Sequence, residues 1–138
     1  MYRVLVPVDK DVDRALAQAE LVASLPDAAN AVEALVLFVF HGEGEELPSE
    51  LKRFNSAERI RSVRRVREYL EDHGVEVDVL EDSGNTAEDI LMEGEQHDVD
   101  AIVLNPRRRS PVGKAVFGSV TQSVIRGSDR PVIVTGRQ

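Results

Sequence analysis

The chain has 138 residues, no cysteine and a formal net charge of −8, from 25 acidic and 17 basic side chains. That length suits a single domain, residues 1–138, with one core. The lack of thiols excludes disulfides, thiolate metal sites and cysteine nucleophiles, and with no membrane-length apolar run and an N-terminus that opens directly into a strand, we expect a cytoplasmic protein without membrane insertion.

The general negative field repels nucleic acid, so any phosphate site must be local. The basic set is 14 Arg against 3 Lys, which fits a salt-adapted acidic surface or a compositional bias towards arginine equally well.

Apolar runs alternate with helical patterns along the chain, which indicates a parallel sheet wrapped by helices. Tyr2 to Val8 reads as the first strand. Asp13 to Leu25 reads as a helix with Ala15, Leu16, Ala19, Val22 and Ala23 on one face. Ala31 to Phe40 is almost unbroken hydrophobic, as a central strand covered on both sides requires. His41 to Phe54 is a polar connection read as a solvated loop. Asn55-x-x-Glu58 resembles a capping box, opening a helix through Ile60, Val63, Val66 and Leu70 that Gly74 ends.

Val75 to Leu80 alternates apolar with acidic residues, in the manner of a half-buried or edge strand. Thr86-x-x-Asp89 starts the next helix, Ala101 to Leu104 forms the fourth strand, Gly118 to about Arg126 the last helix, and Pro131 to Thr135 the closing strand. Five strands with alternating helices give a flavodoxin-like doubly wound sheet with helices on both faces.

The stretch from Ala101 to Thr121 is the richest in chemistry. A short apolar strand runs into Asn105-Pro-Arg-Arg-Arg-Ser-Pro-Val-Gly and then into Gly118-Ser-Val-Thr. A buried strand ending in a cationic loop, followed by Gly-Ser at a helix mouth, is how α/β proteins build phosphate pockets. Gly118 permits close backbone approach, Ser119 offers a hydroxyl and can cap the last helix, and Val120 and Thr121 continue the first turn. Arg107, Arg108 and Arg109 lie between Pro106 and Pro111. They fit anion binding or pairing with surface carboxylates equally well. Gly113-Lys114 does not complete a P-loop.

These residues resemble the universal stress protein family, whose nucleotide-binding members carry Gly-x2-Gly-x9-Gly-[Ser/Thr] after the fourth strand. With Gly118-Ser119 at its end, the two earlier glycines fall on Asn105 and Arg108, so half the pattern is replaced. The resemblance extends to Val4-Leu-Val-Pro-Val-Asp9, to Gly84-Asn-Thr-Ala-Glu-Asp-Ile90 and to Arg130-Pro-Val-Ile-Val134, and so covers nearly the whole chain. It implies the strand order 3-2-1-4-5, with a ligand outside the carboxyl ends of strands 1 and 4.

The resemblance also implies ATP or another adenine nucleotide as ligand. Asp9 would contact the ribose or hold a magnesium ion with the nucleotide, although by position alone it could equally cap the first helix together with Asp11 and Asp13. Pro7, Val8, Val39 and Phe40 would wall the base, Leu104 would belong to the site, and Asn105 would face Asp9 across the switch point. Asparagine tolerates left-handed backbone and can donate a hydrogen bond. An arginine at 108 either blocks the site or grips a phosphate.

Asp9-Lys-Asp11 also resembles the opening of haloacid-dehalogenase-type phosphatases, but the acidic pair Asp98 and Asp100 precedes its strand. His41, His73 and His97 are scattered, and His73 and His97 suit helix C-termini. No side chain supplies a clear general base, so ATP hydrolysis ranks last among the functions considered. The leading expectation is a nucleotide- or anion-binding signalling module. Its alternative keeps the fold without nucleotide and acts as a dimeric protein-interaction or transporter-associated regulator with an unknown protein partner. A homodimer through Pro131–Thr135 is expected either way, because an open apolar edge invites pairing.

Overall fold

The computed structural model describes residues 1–40, 57–106 and 118–136. In chain order it contains β1 (Tyr2–Val8), α1 (Val12–Ala23), the short α2 (Ala28–Ala31), β2 (Val32–Val39), a 3-10 turn (Ala57–Arg59), α3 (Arg61–Asp72), β3 (Glu76–Asp82), α4 (Thr86–Gln96), β4 (Ala101–Leu104), α5 (Ser119–Gly127) and β5 (Val132–Val134). The strands form one sheet in the order β3-β2-β1-β4-β5, every pair parallel. This is the flavodoxin-like order that the resemblance implies.

Period-two alternation divides each central strand between the two faces of the sheet. Val4, Val6, Val8, Val36 and Phe38 pack with Ala15, Ala19 and Val22 of α1 and with Val63, Val66 and Leu70 of α3. Leu5, Leu35, Leu37, Val39, Ile102 and Leu104 pack on the other face with Ile90 of α4 and Val124 of α5. β2 is buried at every position but Glu33, which accounts for its unbroken apolar sequence. β3 lies at one edge of the sheet and β5 at the other.

Several boundaries differ from the sequence expectation. α3 begins at Arg61 with Ile60 as its N-cap and no side-chain cap, not at an Asn55-x-x-Glu58 box. Glu58 sits in the 3-10 turn and faces Arg67 at 3.8 Å, while the turn is tied to the sheet by the Ala57 N–H donating to Glu81 Oε1 at 3.2 Å. Asn55 and the connection His41–Phe54 lie outside the described residues, apart from their neighbour Phe40. α4 is capped by Asn85, whose side chain accepts from the Glu88 N–H at 3.1 Å, one residue before Thr86. Ala28–Ala31 forms a helical turn, so β2 starts at Val32. On α1 the buried face includes Ala17 and Gln18, which the apolar pattern omits.

Gly74 ends α3 as expected. It adopts φ 77°, a left-handed conformation that favours glycine, and the Val75 N–H donates to Leu70 O at 2.9 Å while the Gly74 N–H donates to Glu71 O at 2.9 Å. That pair of bonds is a Schellman motif. α4 closes in the same way with Asp98 at φ 50°, and His73 and His97 occupy the two C-cap positions.

Candidate functional site

The sheet opens between β1 and β4. Their ladder covers only Val4↔Ala101 and Leu5↔Ile102. Ile102 and Leu104 turn their backbone groups towards β5, since Ile102 N–H donates to Pro131 O and Leu104 O accepts from Thr135 N–H; Val103 therefore faces β1. Continuing the register would require Pro7 to donate to Val103 O, and proline has no N–H. Gln18 replaces that bond. Its Nε2 donates to Val103 O at 2.9 Å and to Pro7 O at 2.7 Å, from a side chain that is 3 % exposed. The strand ends are thereby held apart but fixed at the place where winding reverses, which is where doubly wound sheets receive ligands.

Asp9 follows shortly after and is anchored by three residues. Its carbonyl accepts from Ser62 Oγ of α3 at 2.5 Å. One carboxylate oxygen accepts from the Asp11 N–H at 2.8 Å, and the other is ion-paired with the Arg14 guanidinium. The cap of α1 is Asp11, whose side chain accepts from the Arg14 N–H at 3.0 Å; Asp9 stands two residues before the cap. Arg14 also faces Asp11 Oδ2 at 3.3 Å, and its carbonyl lies 3.5 Å from Asn105 Nδ2.

A cavity of about 270 Å³ lies here, lined by Pro7, Val8, Asp9, Lys10, Asp11, Arg14, Leu37, Phe38, Val39 and Thr86. Its base is apolar strand end and its rim is charged, a common form for a small-molecule site. Of the residues expected from sequence, Pro7, Val8, Asp9 and Val39 line it. Phe40 does not; its ring packs edge-on against Phe38 with centroids 4.9 Å apart. Leu104 is buried in the core, and Asn105 meets the site at the Arg14 carbonyl.

At the start of α5, Gly118 is the N-cap with no side-chain cap bond. Ser119 is the first helical residue, a correction to its expected capping role. Among the described residues, no atom lies within 4 Å of where a Cβ on Gly118 would stand. Val120 is 38 % exposed and Thr121 is 8 % exposed; the latter turns into the protein. Arg107, Arg108 and Arg109, like Pro111, Gly113 and Lys114, lie outside the described residues.

Sequence reasoning missed Arg14, Gln18, Ser62 and Thr86. Gln18 could have been found as a polar residue among the apolar positions of α1, since Ala15, Ala19 and Val22 flank it on the buried face. Asp98 and Asp100 are distant from Asp9. They serve the amino end of the sheet, where Asp98 pairs with Arg130 at 3.0 Å and Asp100 Oδ2 accepts from the Arg3 N–H at 2.8 Å. No described group of three or more His, Asp or Glu side chains is placed to hold a metal ion, and no described helix is long and apolar enough to cross a membrane.

One perturbed carboxyl stands at the end of β3. Burial pushes Asp82 up to about 6, helped by the charge of Glu93, the charge of Asp89, a hydrogen bond with Glu93 and the charge of Glu81. Asp82 Oδ2 is buried without a donor.

The family model of the universal stress proteins matches residues 1–136. Universal stress protein MJ0577 of Methanocaldococcus jannaschii is 31 % identical over 94 residues, 68 % of this chain and 58 % of that protein. A Mycolicibacterium smegmatis universal stress protein is 32 % identical over 72 residues, 51 % of this chain and 55 % of its own. The matched region thus spans little more than half the length of these curated relatives. In three dimensions, the solved structure of MJ0577 superposes with a TM-score of 0.78 at 27 % identity, covering 99 % of this chain and 96 % of that one. The Archaeoglobus fulgidus universal stress protein in complex with dAMP has a TM-score of 0.73 at 22 % identity, covering 97 % of each chain. The chain belongs to the universal stress protein family.

Proposed function

We propose that this protein is a signalling module that binds an adenine nucleotide at the carboxyl ends of β1, β2 and β4. The cavity of about 270 Å³ beside Asp9 carries this reading. Its volume is near the lower end of small-molecule pockets, which suits the nucleoside part with the phosphates outside. The base stacks against Pro7, Val8 and Val39, and the ribose hydroxyls donate to Asp9. The phosphates extend towards Asn105, the N-terminus of α5 at Gly118–Ser119, and Arg107–Arg109. Donors at a helix start and guanidinium groups both favour anions. The complex of the A. fulgidus protein with dAMP supports the ligand class.

Magnesium enters with the nucleotide rather than as a resident ion. Asp9 is already paired with Arg14, so the cation needs phosphate oxygens to complete its shell, as is usual for magnesium. Binding biases a surface that a partner reads. We place the protein in the cytoplasm as a homodimer joined through β5, whose three residues are half-buried at the sheet edge.

Isothermal titration with AMP, ADP, ATP and inorganic phosphate, with and without magnesium, tests the proposal. Micromolar binding of an adenine nucleotide supports it. No heat with any of the four removes the nucleotide and leaves the dimeric protein-interaction reading, and steady turnover of ATP would make the protein an enzyme.

A further inference from the structure

The contacts around Asp9 assign a task to Arg14 that neither the family motif nor the apolar pattern contains. The Asp9 side chain is 59 % exposed, whereas that of Arg14 is only 17 % exposed. An exposed carboxylate normally samples several rotamers, and a ligand that uses it must stop that motion. Here the motion is already restricted from both sides, because one oxygen accepts from the Asp11 N–H and the other is paired with Arg14. The backbone of the same residue is pinned by Ser62. Arg14 is in turn held by Asp11 at 3.3 Å.

We infer that Arg14 is a positioning residue: its guanidinium locks the Asp9 carboxylate in one orientation and thereby makes the cavity selective for ligands that carry a vicinal diol, as a ribonucleotide does. Each carboxylate oxygen can accept more than one hydrogen bond. With one acceptor site used internally on each oxygen, a further site on each is left for two adjacent hydroxyls. A planar, always charged group suits this better than lysine, since it can face Asp9 and Asp11 together. This inference rests on the nucleotide reading above, and its test separates the two.

The probes are AMP and 2′,3′-dideoxy-AMP, titrated into the full chain by calorimetry. The wild type should prefer AMP at least tenfold. Arg14→Gln should reduce that preference below about threefold, chiefly by weakening AMP, while the affinity for dideoxy-AMP stays within about twofold. Arg14→Lys, which keeps the charge but not the fork, should fall between them. In the Asp9→Asn background, Arg14→Gln should change nothing further, because the two residues act as one unit.

Equal losses for both ligands in Arg14→Gln would mean a merely structural role and overturn the inference. So would a gain in AMP affinity, which would make Arg14 a competitor for Asp9. A wild type that binds both ligands equally overturns the inference and leaves the nucleotide reading standing. A wild type that binds neither overturns both. Thermal melting of each variant checks folding, and the lysine variant keeps the comparison intact should the glutamine variant melt early.

Discussion

Gln18 donates to Val103 O the hydrogen bond that Pro7 cannot supply. The proline ends the β1–β4 ladder and the glutamine keeps the two strand ends at a fixed separation, so the crevice is a consequence of both residues. Gln18→Leu removes the donor and leaves two carbonyls unsatisfied near the core. It should destabilise the fold by about 2 kcal/mol, within the range for unpaired buried groups, and weaken nucleotide binding as the crevice relaxes. Urea unfolding measures the first effect and calorimetry the second. A loss under about 0.5 kcal/mol would mean that water or the backbone replaces the amide.

Asp82 should make stability fall as the pH rises. Its carboxyl is raised from 3.8 to about 6, so between those values the unfolded chain has released a proton that the folded chain retains. Unfolding is therefore increasingly favoured from about pH 4 to about pH 6, and the full penalty persists above that. Asp82→Asn supplies a permanent donor to Glu93. It should raise stability at pH 7 by on the order of 1 kcal/mol, discounted for the partial solvation of the site, and flatten the profile between pH 4 and 6. Chemical denaturation across that range checks it; a variant as pH-dependent as the wild type contradicts the assignment to Asp82.

Gly118→Val should reduce nucleotide affinity at least tenfold while costing the free protein about 1 kcal/mol or less, since the helix already lacks a side-chain cap. The added side chain meets no described neighbour, and thermal melting of the variant separates blocked ligand approach from a damaged fold. Arg108→Gly restores the glycine of the family pattern and should strengthen binding if arginine crowds the phosphates. A weakening of ~1.4 kcal/mol, a tenfold loss, identifies Arg108 as a phosphate contact instead.

Edge pairing through β5 has a residue-level test. Ile102 N–H donates to Pro131 O, and Thr135 N–H donates to Leu104 O, so odd-numbered residues of β5 face β4 while Val132 and Val134 face the open edge. Val134→Pro removes an outward donor without touching the β4 ladder, and Ile133→Lys adds a charge to the strand, at some cost to the core that Ile133 packs against. Both should yield monomers in light scattering, against a wild-type dimer in low and in molar salt. A wild type that is monomeric in both conditions refutes the pairing.

The sequence carries the fold because its signals are local. β2 reads as central through its unbroken apolar run, β3 reads as a half-buried or edge strand through its acidic alternation, and Gly74 marks a helix end through its backbone freedom. Caps were legible only to within a few residues: Asn85 and Thr86 can both cap, and the choice depends on which side chain reaches the Glu88 N–H. The site was half legible. Pro7, Val8, Asp9 and Val39 follow from strand ends, but Arg14 and Gln18 act on residues chosen by topology. Gln18 meets Val103, 85 positions away, and no periodicity encodes that meeting.

A nucleotide in the crevice beside Asp9 would be visible residue by residue, and that occupancy is open to direct test. Amide chemical-shift mapping of the nitrogen-15-labelled protein during titration with AMP tests it most directly, because it reads location as well as binding. Saturable shifts should group at Val8 to Arg14, Leu37 to Phe40, Thr86, Asn105 and Gly118 to Thr121. Shifts grouped instead along β5 or the outer face of α3, or no shift at millimolar AMP, would contradict it.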